Sequence, residues 1–133
     1  MTRRETVDVG GIQISYLTAG DGGPASGRGF HVIYPPSIPH LTDDIAAASK
    51  RLAFDVRGAF RAGTGEPYAT YVGHDGLDVR SDLGGLNLSD VPKVFIETGN
   101  MRNAVDARRL ESAAYRQREA VALARGLADF LGR

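Results

Sequence analysis

The chain opens on alternation. Val7 and Val9 alternate with Thr6 and Asp8, and Ile12, Ile14 and Tyr16 alternate with Gln13 and Ser15. A two-residue Gly10-Gly11 step joins the two runs, and that combination predicts a β-hairpin over residues 5–18. Residues 19–29 are rich in glycine, carry a proline and read as a loop. Phe30–Tyr34 is a short apolar run that predicts a strand, and Pro35, Pro36 and Pro39 end it as an extended connector. Ile45, Ala48, Leu52, Val56, Ala59 and Phe60 then recur at helical spacing. They predict a helix capped by Thr42 or Asp43, running to about Ala62 and stopped by Gly63.

Tyr68–Val72 reads as a further strand, and residues 73–91 as a long connection of the kind that is usually functional or held by a partner. Val94–Thr98 predicts a fully apolar central strand that ends on the carboxylate of Glu97. A short helix over Ala104–Leu110 follows. Ser112 then caps a last helix with Ala120, Leu123, Ala124, Leu127 and Leu131 on one face. The order implies one α/β domain over residues 1–133, with a mixed, partly parallel sheet flanked by helices.

Composition narrows the picture by exclusion. Over 133 residues the chain is 42% hydrophobic and 24% charged, with a formal net charge of zero. That balance gives no reason to expect nucleic acid or an anionic membrane as partner. With no cysteine there is no disulfide, thiolate metal site or cysteine nucleophile. No apolar stretch is long enough to span a bilayer. The charged N-terminus lacks the apolar segment of a signal peptide, so the chain as written is expected in the cytoplasm.

Glu97 is the strongest candidate for chemistry. A carboxylate at the end of a central strand sits where α/β sheets build their sites. Partial burial there would raise its pKa and let it take a proton from water and return it to a leaving amine. The competing reading is a glutamate that simply pairs with Arg80 or Arg102. His31, His40 and His74 have no mutual spacing that predicts a tetrahedral metal site. His31 is expected to face out of its strand or to meet a backbone group and His40 to be solvated, while His74 lies in the long loop, where ligand contact is the minority reading. The arginines at 102, 108, 109, 116, 118 and 125 read as a solvated face balanced by Asp106, Glu111 and Glu119. Residues 20–29 lack the Gly-Lys-Ser/Thr of a phosphate loop, and no Gly-x-Ser-x-Gly elbow occurs.

Residues 91–111, VPKVFIETGNMRNAVDARRLE, resemble the zinc-dependent N-acetylmuramoyl-L-alanine amidases, which are peptidoglycan hydrolases. Pro92, Val94, Glu97, Gly99, Asn100, Met101, Asn103, Asp106 and Ala107 fall on that family's pattern. The similarity extends through Gly73–Leu88 and back to GPASGRGFHVIYP at 23–35, so it covers about residues 21–133. It is most like the actinobacterial branch. The resemblance implies a cell-wall enzyme that cleaves the amide between N-acetylmuramic acid and L-alanine. It makes Glu97 the counterpart of the glutamate that activates zinc-bound water. His74, Arg80 and Asn100 become candidate substrate contacts.

The family's zinc is held by a histidine, a glutamate and a second histidine just before the glycine loop. Here Ala19 takes the place of that last histidine, and residues 1–18 offer no counterpart for the others. The expectation is therefore an amidase by ancestry that binds no zinc and is inactive. The alternatives are a non-catalytic module for peptidoglycan or a protein, or a fragment without selected function. Residues 1–22 are similar to the opening hairpin of α/β-hydrolases, which suggests a chimera joined near Asp21. Loss of early strands would also uncover sheet edges and favour self-association.

Overall fold

The computed structural model describes residues 24–133 throughout and the backbone of two strands before them. These are β1 (Arg3–Val9) and β2 (Ile12–Thr18), an antiparallel pair whose register sets Val9 against Ile12 and Val7 against Ile14. The hairpin expected over residues 5–18 is thus present as paired strands, and it lies alongside the last helix. The Gly10-Gly11 turn and the Ala19–Asp21 junction lie outside the described residues.

A three-stranded mixed sheet forms the centre of the remaining chain. Its middle strand is β3 (His31–Tyr34), with β4 (Leu77–Val79) parallel on one side and β5 (Phe95–Glu97) antiparallel on the other. The helices are α1 (Ala46–Thr64), α2 (Gly84–Asn87), α3 (Ala104–Glu111) and α4 (Ala113–Leu131). Phe30 and Val32 point from the sheet into a core with Leu52, Ala53, Val56 and Phe60 of α1 and Ala122 of α4. Phe30 stacks at 4.6 Å on Phe60 and at 5.5 Å on Tyr68. Two glycines let α1 and α4 approach closely. A Cβ on Gly126 would lie 2.7 Å from the Val56 Cα, and one on Gly63 2.7 Å from the Ala122 Cβ.

Those contacts correct the expected helix stop. Gly63 lies inside α1 because α4 needs its missing side chain, and Gly65 ends the helix in the left-handed region at φ 69°. Thr42 does not cap α1 either. Its hydroxyl donates to Pro36 O (2.6 Å) and accepts from Ile38 N (2.9 Å), so it closes a turn on the proline connector.

The strand expected over Tyr68–Val72 shrinks to a single bridge between Tyr68 and Phe30. The parallel strand is β4, inside the segment read as a connection. Gly73, Asp75 and Gly76 all take positive φ and reverse the chain before Leu77. Ser112 caps α4 as expected, accepting from Tyr115 N. On α4, Ala120 and Ala124 are buried and Leu123 and Leu127 pack on the core, but Leu131 is exposed. No helix among the described residues is long and apolar enough to cross a membrane.

Candidate functional site

Strand alternation sorts the sheet into two faces. Val32, Leu77 and Ile96 turn toward the helices. His31, Ile33, Asp78, Phe95 and Glu97 belong by register to the other face. On that face His31 and Glu97 are direct cross-strand partners, a placement that brings Cβ atoms within about 5 Å.

Two expectations about Glu97 need correcting. Among the described residues β5 is an edge strand, and it runs antiparallel to β3, so its carboxyl end lies beside the amino end of β3. Glu97 is exposed rather than partly buried. The pairing alternative is not realised either. Arg80 is spent on Asp82 through two hydrogen bonds of 2.9 and 2.6 Å, which lowers the Asp82 pKa and raises that of Arg80. Among the described residues the Glu97 carboxylate has no ion pair or hydrogen bond, with Arg102 or otherwise.

His31 is buried instead of facing outward, and its Nδ1 has no hydrogen-bond partner among the described residues. Burial lowers its pKa below 6.5, while the negative charges of Glu97 and Asp78 act in the opposite direction and Arg80 adds to the lowering. Its ring meets Tyr71 edge-on at 6.4 Å. The Tyr71 hydroxyl is likewise buried and unpartnered, and burial, then Glu97 and Asp106, raise its pKa. His74 lies apart, on the turn before β4, with its side chain 92% exposed and Nδ1 3.2 Å from the Asp75 carboxylate. His40 is exposed on the proline connector.

Asn100 occupies a different kind of place. It is fully buried, and its Nδ2 donates to Pro24 O (2.9 Å) and Gly27 O (2.8 Å) while its Oδ1 accepts from Arg102 N (3.0 Å). Its amide is committed to holding the glycine loop beneath the site. Asp106 does the same from α3. Its Oδ2 accepts from Gly29 N (2.8 Å) and Asn100 N (3.1 Å), and its Oδ1 lies 3.3 Å from Arg28 Nε. Asn103 caps α3 just ahead of it. Arg28 also reaches Glu66, a buried carboxylate that accepts from Arg109 and from the Tyr115 hydroxyl at 2.8 Å. Burial first, then the Glu66 hydrogen bond, push the Tyr115 pKa up to about 12. So Arg109, expected on a solvated face, is part of an internal network.

Sequence reasoning passed over Glu66, Tyr71 and Arg28. Asp106 and Glu119, expected to balance a solvated arginine face, are both buried. Only Arg28 had a signal, in its position between Gly27 and Gly29.

The profile of the N-acetylmuramoyl-L-alanine amidase family matches residues 20–129. The chain belongs to that family. An N-acetylmuramoyl-L-alanine amidase of Mycobacterium tuberculosis is 51% identical over 111 residues, 84% of this chain and 45% of that protein. The crystal structure of the amidase from Mycobacterium smegmatis superposes with a TM-score of 0.76 at 45% identity, covering 84% of this chain and 50% of the other. The apo amidase of Mycobacterium abscessus gives 0.75 at 42%, covering 84% and 51%. This chain thus spans about half the length of each relative. The match begins at residue 20, so the β1–β2 hairpin lies outside it.

The family is generally zinc-dependent. A zinc site needs three or four converging donors. No three His, Cys, Asp or Glu side chains converge in that way among the described residues. His31 and Glu97 stand opposite each other without a third donor, and the described residues alone do not fit the ion.

Proposed function

We propose that this chain is the Glu97-bearing part of an amidase fold, that it engages the muramoyl-peptide unit of peptidoglycan, and that residues 1–133 alone do not cleave it. The observation that carries the reading is Glu97 itself. It is exposed and without an ion pair or hydrogen bond among the described residues, in a segment that falls within the family match. An exposed carboxylate can accept a hydrogen bond from an amide N–H of the ligand, or take a proton from water. His74 and Arg80 lie on the loops around β4 and extend the contact surface, while Asn100 supports it from below.

Hydrolysis of an unactivated amide needs an activated water and a partner for the developing oxyanion. One carboxylate supplies neither the Lewis acid nor the second charge. On this reading the chain binds no zinc by itself and acts at the cell wall. The outer edges of β4 and β5, with Val79 and Phe95 exposed, favour self-association.

Purified protein incubated with N-acetylmuramoyl-dipeptide, with and without added zinc, tests this directly. The expected result is saturable binding that Glu97→Ala weakens, no release of free peptide, and no stoichiometric metal by elemental analysis. Peptide release that Glu97→Ala abolishes would overturn the inactive reading. Absence of any binding would overturn the muramoyl-peptide reading. Light scattering after size exclusion checks self-association, with a strict monomer as the contrary outcome.

A further inference from the structure

We propose that His31 and Tyr71 are positioning residues for Glu97: the imidazole Nδ1 and the phenol Oη form a seat that draws the Glu97 carboxylate inward from β5 and holds it. This deepens the reading of Glu97 as the functional carboxylate and rests on it.

Three independent observations meet here. The first is register, which makes His31 and Glu97 direct partners on the same face of an antiparallel pair. The second is unpaid hydrogen bonding. His31 Nδ1 and Tyr71 Oη are both shielded from water and unpartnered among the described residues. Buried polar atoms nearly always find a partner, and two orphans on rings 6.4 Å apart call for one. The third is that Glu97 is the acidic group whose charge is felt at both rings. The carboxylate accepts only, and both rings can donate.

The surroundings favour this arrangement over a chance contact. Tyr71 can lie where it does because residue 27 is glycine: a Cβ there would sit 2.7 Å from the Tyr71 Cδ1. Gly27 is itself held by Asn100 Nδ2. Asn100, two positions after Thr98, thus fixes the loop that makes room for the Tyr71 ring. The other charged groups around the seat are Asp78 and Arg80 on the β4 side and Asp106 from α3. Arg80 is neutralised by Asp82, and Asp106 by Arg28 and two backbone N–H groups, so neither competes for the rings.

Protein carrying carboxyl-13C glutamate, observed by NMR without ligand, reads the seat. Glu97→Gln assigns the resonance, and exposed Glu111 serves as internal control. A carboxylate that accepts from a phenol and an imidazole differs in 13C shift from a solvated one, so Tyr71→Phe and His31→Gln should each move the Glu97 resonance toward that of Glu111. Glu111 should not move. An unchanged Glu97 resonance in both variants overturns the proposal, and an unchanged resonance in one removes that residue from it. Should the His31 variant fail to fold, the His31 ring 15N shifts are compared between wild type and Glu97→Gln, whose site is exposed. A changed ring spectrum and a lower His31 midpoint support the seat, and identical ring shifts overturn it. Failure of muramoyl-dipeptide to bind while the Glu97 resonance still moves would overturn the ligand reading and leave the seat standing.

Discussion

Glu66 and Glu97 are the same residue in opposite situations. Glu66 is 1% exposed and accepts from Arg28, Arg109 and Tyr115. Glu97 is exposed and accepts from nothing among the described residues. The first kind of carboxylate is spent on structure, since a buried charge persists only when its lone pairs are filled. The second stands outside any such buried network of the described residues, on the surface where a carboxylate can serve recognition or proton transfer. The same substitution at the two positions should therefore have unequal effects. Glu66→Gln removes the charge and turns one acceptor oxygen into an NH2 donor, so either Arg28 on Oε1 or Arg109 and Tyr115 on Oε2 lose their acceptor. Its expected cost is about 3–5 kcal/mol of unfolding free energy in urea melts. A loss below about 1 kcal/mol would show that the network is dispensable.

Glu119 falls between these two. It is 7% exposed on α4, meets the Thr98 hydroxyl, and has one carboxyl oxygen unpartnered among the described residues. Burial raises its pKa from 4.5 to about 7. Between those values the folded chain holds a proton that the unfolded chain has lost, so its contribution to stability falls as pH rises from 4.5 to 7 and is flat above. Glu119→Gln keeps the shape and removes the titration. The variant should match wild type near pH 4.5 and exceed it by up to about 3 kcal/mol at alkaline pH. Parallel stability–pH curves for the two proteins would contradict the shift.

What the sequence made legible follows from the range over which each signal acts. Periodicity within one element carried the β1–β2 pairing, α1, α3 and α4, because side-chain spacing is local. The two errors at the ends of α1 have different causes. Thr42 is taken by the proline connector four to six residues before it, a local competitor to capping, whereas Gly63 serves α4, a distant partner that no local pattern reports. β4 is only three residues long, too short for alternation to register. At the site, Glu97 was visible because it ends an apolar run and falls on the family pattern. Its exposure and edge position were not, since strand order is set by crossovers rather than by composition. Glu66 and Tyr71 were invisible for the same reason: their partners are tens of residues away.

The smaller effects bear on how the supporting region reaches the site. Asn103 accepts from Val105 N and Asp106 N at the start of α3, and its Nδ2 donates to Ala25 O. Asn103→Ala should cost about 1 kcal/mol, the usual value of an N-cap. It should also loosen Asp106, which α3 carries, and so speed amide exchange at Gly29 and Asn100. Exchange that is accelerated only within α3 would mean that the cap and the loop are uncoupled.

The smallest effect expected on stability is at Glu97, and that is its diagnostic value. Glu97→Gln on an exposed edge position should change unfolding free energy by less than about 0.5 kcal/mol. Meanwhile it should abolish whatever depends on the negative charge: the upward pull on His31 and Tyr71, and the response to muramoyl-dipeptide. A residue that structure can lose and function cannot is the signature of a site. If Glu97→Gln instead unfolded the chain as Glu66→Gln is expected to, the contrast between the two glutamates would be wrong. Glu97 would then belong with Glu66 as part of the frame, held inward firmly enough that the fold depends on it.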